Sequence, residues 1–129
     1  MLKRMIAAVL VLMVLLSGCA DTAEEQNTYT QITQEVAKEM IDSQTVVILD
    51  VREQHEYDEG HITDAVLLPL GSISEASAAA TIGEQDTVVL VYCRSGNRSK
   101  QASEKLVDLG YTNVYEFGGI NTWPYDVVR

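Results

Sequence analysis

Residues 88–99 read Val88-Val89-Leu90-Val91-Tyr92-Cys93-Arg94-Ser95-Gly96-Asn97-Arg98-Ser99. The first five form a continuous apolar run rich in β-branched side chains. Such a run suits a strand buried on both faces, as in a parallel sheet. From about Arg98 to Leu109 the pattern turns helical, with Ala102, Leu106 and Leu109 at i, i+4, i+7. Gly110 stands where a helix-terminating glycine belongs. The stretch therefore places a thiol between the carboxyl end of a buried strand and the start of a helix.

Working outward, the same alternation repeats. Val46-Val47-Ile48-Leu49 is a second apolar, β-branched run, and Ala65-Val66-Leu67-Leu68 and Asn113-Val114-Tyr115-Glu116-Phe117 are weaker strand candidates. Thr33 can cap a helix through about Asp42 that carries Val36, Ala37, Met40 and Ile41 on one stripe. Glu53 to Glu59 reads as a short helix stopped by Gly60, and alanine-rich Ser72 to Ala80 as another. Strands alternating with helices predict an α/β domain with a mostly parallel sheet.

In such sheets ligands bind beyond the carboxyl ends of the strands. A helix starting there presents unpaired N–H groups and the positive end of its dipole. Cys93 in that position is expected to ionise more readily than a free thiol, helped by Arg94 and Arg98. Gly96 and Asn97 tolerate the positive φ angles that let successive N–H groups converge on an anion. A cysteine with these neighbours is a reactive thiolate facing an anion cradle, rather than a small apolar residue at a strand end. Asp50 and Arg52 follow the second strand. Arg52 is a candidate substrate contact, although such a pair can equally stitch the loop by a salt bridge. Glu53 and Glu56 read as solvated or capping charges, His61 as structural, His55 as surface, and Trp123 and Tyr92 as packing residues.

The run Cys93-Arg94-Ser95-Gly96-Asn97-Arg98-Ser99, set between strand and helix, resembles the active-site loop of the rhodanese family. Asp50-Val51-Arg52-Glu53, Glu56-Tyr57, Gly60-His61-Ile62, Ala65 and Pro69 resemble the family's upstream signature, and Gly118-Gly119 with Trp123 its ending. The sequence departs from that pattern at Asp64, where the family often has Gly or Asn, and at Leu67, where it often has a polar Asn. The resemblance implies a single α/β domain: a rhodanese-like parallel sheet of about five strands with helices on both faces. It also implies a sulfurtransferase that carries sulfane sulfur as a persulfide on Cys93. Arg94 and Arg98 would then neutralise a small anionic donor such as thiosulfate. The acceptor would be cyanide or a thiol, and the N–H groups from Ser95 through Ser99 would hold the transferred sulfur.

The beginning of the chain has another character. Lys3 and Arg4 precede an uncharged apolar run from Met5 to Leu16, shorter than the ~20 residues that span a bilayer. The run has the length of a signal-peptide core. Leu16-Ser17-Gly18-Cys19 follows and resembles a bacterial lipobox, which implies cleavage before Cys19 and a lipid on its sulfur. Residues 1–18 are thus expected to be a lipoprotein signal peptide and residues 19–28 a lipidated, flexible tether. Residues 29–129 are expected to form the domain, held outside the cytoplasm at a bacterial cell membrane.

The net charge is −10, becoming −12 once Lys3 and Arg4 leave with the signal. That balance disfavours nucleic acid as a partner. With Cys19 lipidated, Cys93 is the only free thiol, so no intrachain disulfide or resolving partner is available. One thiol and two histidines give no metal-ligand cluster, and no cofactor is expected.

Three other functions fit parts of the pattern. A phosphatase or arsenate reductase would need arginine six positions after the thiol, where Ser99 stands; Arg98 comes one residue early. A thiol oxidoreductase would want a second cysteine. A non-catalytic sulfur carrier or docking module, handing sulfur to a protein acceptor, would share the Cys93 persulfide and is not separable by sequence.

Overall fold

The strand Val89–Cys93 lies third in a five-stranded, wholly parallel sheet. A computed structural model describes residues 27–129; the expected signal segment, Cys19 and most of the tether lie outside the described residues. In chain order the elements are β1 (Thr30–Gln31), α1 (Gln34–Ser43), β2 (Val47–Asp50), α2 (Gln54–Glu59), β3 (His61–Ile62) and β4 (Val66–Leu67). They continue with α3 (Glu75–Thr81), β5 (Val89–Cys93), α4 (Asn97–Asp108), β6 (Val114–Gly119) and β7 (Val127–Val128). The main sheet runs β1-β6-β5-β2-β4, and β3 and β7 form a separate antiparallel pair.

All five residues of β5 are buried, as a central parallel strand requires. Alternate side chains leave it on opposite faces. Val89, Val91 and Cys93 pack with Leu49, Val51, Ala102, Leu106 and Val114 on one face. Leu90 and Tyr92 pack with Ala37, Ile48, Phe117 and Trp123 on the other.

The helices begin where local chemistry starts them. The Thr33 hydroxyl accepts from the Val36 N–H at 3.1 Å and caps α1. Met40 and Ile41 of its expected stripe pack against the core, whereas Val36 is 39% exposed. In α2 the Glu56 carboxylate accepts from the Glu53 N–H at 2.8 Å, closing a reciprocal capping box. The alanine-rich helix begins later than its composition suggested. Leu70–Ser72 form a single 3-10 turn, and Ser74 caps α3 through the Ser77 N–H at 3.1 Å. Asn27, expected to belong to the tether, donates to the Tyr111 carbonyl oxygen at 2.6 Å.

Asp64, one of the two departures from the family pattern, has φ +66° and is the only non-glycine with positive φ among the described residues. A glycine or asparagine takes up that left-handed conformation more readily than most side chains.

Candidate active site

Cys93 ends β5, and the chain turns through Arg94 and Ser95 to Gly96, which starts α4 with φ +111°. A residue with a Cβ is strained at that angle, so glycine permits the tight reversal. The reversal brings the Gly96 N–H to 3.0 Å from Cys93 Sγ. Ser99, one turn into α4, sets its Oγ 3.4 Å from the same sulfur. Cys93 is 1% exposed. Burial pushes its thiol up, but the Ser99 hydroxyl and the N–H groups of Ser99, Gly96 and Ser95 outweigh this, holding it below the ordinary thiol range. The donors come from one loop and one helix start, so they are fixed before any ligand arrives.

The two arginines of the loop differ. Arg94 is exposed and makes no ion pair among the described residues. Arg98 grips Glu56 of α2 with both terminal nitrogens, at 2.7 and 2.8 Å. Its charge is already matched, so an incoming anion meets Arg94 as the uncommitted cation of the loop. Asn97 is exposed at the start of α4 and Ser95 is exposed in the turn.

Arg52 is brought near but not into the loop. It is 5% exposed; its guanidinium binds Asp50 (2.7 Å) and the Gly60 carbonyl oxygen (2.7 Å). The Tyr92 hydroxyl donates to the same Asp50 carboxylate at 2.6 Å and accepts from the Ile62 N–H at 3.1 Å. Burial, then Asp50, holds that hydroxyl far above its ordinary value. Arg52 thus stitches the upstream segment to the sheet, and the same side chain lines an open cleft of about 450 Å³ with Glu56, Trp123 and Arg129. His61 stacks on Tyr57 (ring centroids 3.7 Å apart) and its Nδ1 lies 3.0 Å from the Tyr57 carbonyl oxygen, a structural setting.

Two residues shape the site in ways that the sequence reading did not assign, although Gly119 was named as part of the Gly118-Gly119 ending. Gly119 is one: a Cβ there would stand 1.9 Å from the Arg94 carbonyl oxygen, so β6 abuts the back of the loop. Glu116 is the other: 3% exposed, it accepts from the Ser99 hydroxyl at 2.7 Å and from the Gly118 N–H at 2.8 Å. A carboxylate inside an otherwise apolar strand run was the available signal, because a buried charge needs partners. Among the described residues no cluster of His, Cys, Asp and Glu is arranged to hold a metal ion.

Residues 33–124 match the model of the rhodanese-like domain. The chain is 38% identical over 96 residues to the thiosulfate sulfurtransferase GlpE of Coxiella burnetii, covering 74% of this chain and 87% of that protein. It is 40% identical over 72 residues to the thiosulfate sulfurtransferase PspE of Escherichia coli, covering 56% and 68%. Among solved structures, a rhodanese-related protein from Thermoplasma volcanium superposes with a TM-score of 0.64 at 35% identity, covering 78% of this chain and 98% of that one. A buried thiol at a strand end, a tight N–H loop behind it and a family match from residue 33 to residue 124 lead to one assignment: the chain belongs to the rhodanese-like domain family.

Proposed function

We propose that the protein is a sulfurtransferase that moves sulfane sulfur through a persulfide on Cys93. The observation that carries this reading is the Cys93 sulfur held 3.0 Å from the Gly96 N–H, at the start of α4. The relatives' own activity, thiosulfate sulfurtransfer, is chemistry that this arrangement suits.

In the first half-reaction the thiolate attacks the outer sulfur of thiosulfate. The donor's S–S bond breaks, sulfite leaves with its electron pair, and Cys93 carries the sulfur as a persulfide anion. In the second, cyanide or a thiolate attacks the terminal sulfur, the Cys93–sulfur bond breaks, and its electron pair returns to Cys93. Splitting the transfer into two displacements is covalent catalysis. The loop N–H groups stabilise sulfur-centred negative charge at each stage, and Arg94 draws in the anionic donor. The hydrophobic start and Leu16-Ser17-Gly18-Cys19 support an extracytoplasmic site of action, with the protein anchored to the membrane by lipid on Cys19.

The test is thiosulfate:cyanide sulfurtransfer by the full chain beside Cys93→Ser. Thiocyanate from the wild type and none from the variant is the expected result. If neither forms it, and mass spectrometry finds no persulfide on Cys93 after exposure to other sulfane-sulfur donors, the catalytic reading fails and a docking role replaces it. Slow turnover with cyanide but fast transfer to one protein acceptor would identify a carrier.

A further inference from the structure

Ser99 has one hydroxyl hydrogen and three oxygen acceptors within reach; the Cys93 thiol donates to its oxygen and becomes a fourth acceptor once ionised. Glu116 Oε1 lies at 2.7 Å, the Gly96 carbonyl oxygen at 2.9 Å, the Gly118 carbonyl oxygen at 3.4 Å, and Cys93 Sγ at 3.4 Å. A short bond to a carboxylate is the strongest of these. The other partners of Glu116 can only donate: the Gly118 N–H to Oε1 at 2.8 Å and the Gln31 amide to Oε2 at 3.3 Å. That is the setting of an ionised carboxylate, buried on the same sheet face as the thiol. Register puts Val91 opposite Glu116, and Val91 and Cys93 share the face packed under α4.

We propose that Glu116 is a counter-charge to the Cys93 loop: it competes with the sulfur for the Ser99 hydroxyl hydrogen and sets a buried negative charge behind it, keeping the thiolate basic and nucleophilic. This rests on the sulfurtransferase reading of the same thiol and deepens it. Loop N–H groups alone would favour a strongly ionised but feebly nucleophilic sulfur. Thiol nucleophilicity falls as acidity rises, and the best attacking thiol has a pKa near the ambient pH. A carboxylate behind the loop offsets the N–H groups in front of it.

The other charged groups around the pair do not take over this role. From α4, Arg98 feels Cys93 but is matched by Glu56 of α2, with Glu53 beside it. Lys100 of α4 lines the groove that Glu116 borders, and Arg94 stands in the loop itself. On the β1 side the Tyr29 hydroxyl, its pKa raised first by burial, also feels the charges of Glu104 and Glu116. Asp50 is in register with Tyr92 and binds its hydroxyl, so the Asp50–Arg52 pair serves the opposite face.

The experiment is the pH dependence of alkylation of Cys93 by iodoacetamide in the full chain, read by mass on the Cys93 peptide so that Cys19 does not interfere. Glu116→Gln keeps an oxygen for Ser99 and Gly118 while removing the charge. The midpoint of its profile should fall by about one pH unit. Its limiting rate at high pH should fall about threefold, from the usual dependence of thiolate reactivity on basicity. A residue that merely braced the loop would leave the midpoint in place or raise it, and either result overturns the proposal. Ser99→Ala gives a second reading should Glu116→Gln not fold. If Glu116 wins most of the hydrogen, the midpoint rises by less than about half a unit; a larger rise puts the hydrogen on the sulfur and rejects the counter-charge.

Sulfurtransfer is measured on the same samples. A moved midpoint without thiocyanate would keep the counter-charge and remove the sulfurtransferase reading. Thiocyanate with an unmoved midpoint would do the reverse.

Discussion

The Arg98 guanidinium and the Glu56 carboxylate form a two-pronged pair, with N–O distances of 2.7 and 2.8 Å, that joins the first turn of α4 to α2. The pair links the thiol loop to the segment after β2, 42 residues earlier in the chain. Hydrogen bonds from Arg98 pull the Glu56 carboxyl down to about 2, against its burial.

That depression has a defined stability signature. In the unfolded chain Glu56 titrates near ~4.3, so unfolding takes up a proton between that value and about 2. The stabilisation is complete above the unfolded value and is lost as pH falls through the folded one. Glu56→Gln should therefore lower stability at pH 7 by about 1 kcal/mol, a figure reduced because Arg98 is partly exposed to water. Melting temperatures followed from pH 7 to pH 2 should show the gap between wild type and variant closing below about pH 4.5. A gap independent of pH would mean that the ion pair is not its source.

Arg52 and Asp50 give a sharper contrast between structure and chemistry. The pair is buried, with side-chain exposures of 7% and 0%. Removing one partner leaves the other charge uncompensated, so Asp50→Asn should cost about 3–5 kcal/mol in denaturant unfolding. Arg52→Lys keeps the charge but cannot reproduce the fork that spans Asp50 and Gly60. It should destabilise the fold while leaving the KM for thiosulfate within about twofold, because uniform binding energy is not lost. A large rise in KM at unchanged stability would instead make Arg52 a direct donor contact.

The sheet and the thiol loop were legible because their signals are contiguous: an apolar run, a cysteine, a glycine turn and a capped helix follow one another in the chain. What sequence could not supply were pairings across it. Glu116 meets Ser99 17 residues away, and Glu56 meets Arg98 on another element. Periodicity carries no information about either. The start of α3 was misplaced for a local reason. Ser72 and Ser74 both offer a capping hydroxyl, and alanine content does not choose between them. The choice is made by Leu70–Ser72 closing a 3-10 turn first.

Asp64 shows a sequence departure turned into a physical quantity. At φ +66° its Cβ crowds the backbone, a strain that glycine does not feel. Asp64→Gly should raise the melting temperature by about 2–4 °C, the shift expected of roughly half a kcal/mol in a domain this size. Asp64→Ala should not raise it, since alanine keeps the Cβ that causes the strain. Thermal unfolding of the two variants side by side decides the matter, and a rise with alanine would refute the strain.

Gly119 carries the last prediction. A Cβ at this position would fall 1.9 Å from the Arg94 carbonyl oxygen and 2.6 Å from the Ser95 nitrogen, both backbone atoms that cannot step aside alone. The Arg94–Ser95 peptide also accepts from the Asn121 N–H at 3.2 Å, and it leads directly to the Gly96 N–H that holds the sulfur. Gly119→Ala must therefore displace the loop, and a misplacement of about 1 Å at a catalytic centre costs on the order of 100-fold in rate. Thiosulfate:cyanide turnover should fall by that factor, with alkylation of Cys93 shifting to higher pH as the N–H donors move off the sulfur. Gly71→Ala is the matched control, since a Cβ there meets nothing within 4 Å. Wild-type turnover in Gly119→Ala would mean that the position of the loop backbone does not govern the chemistry at Cys93.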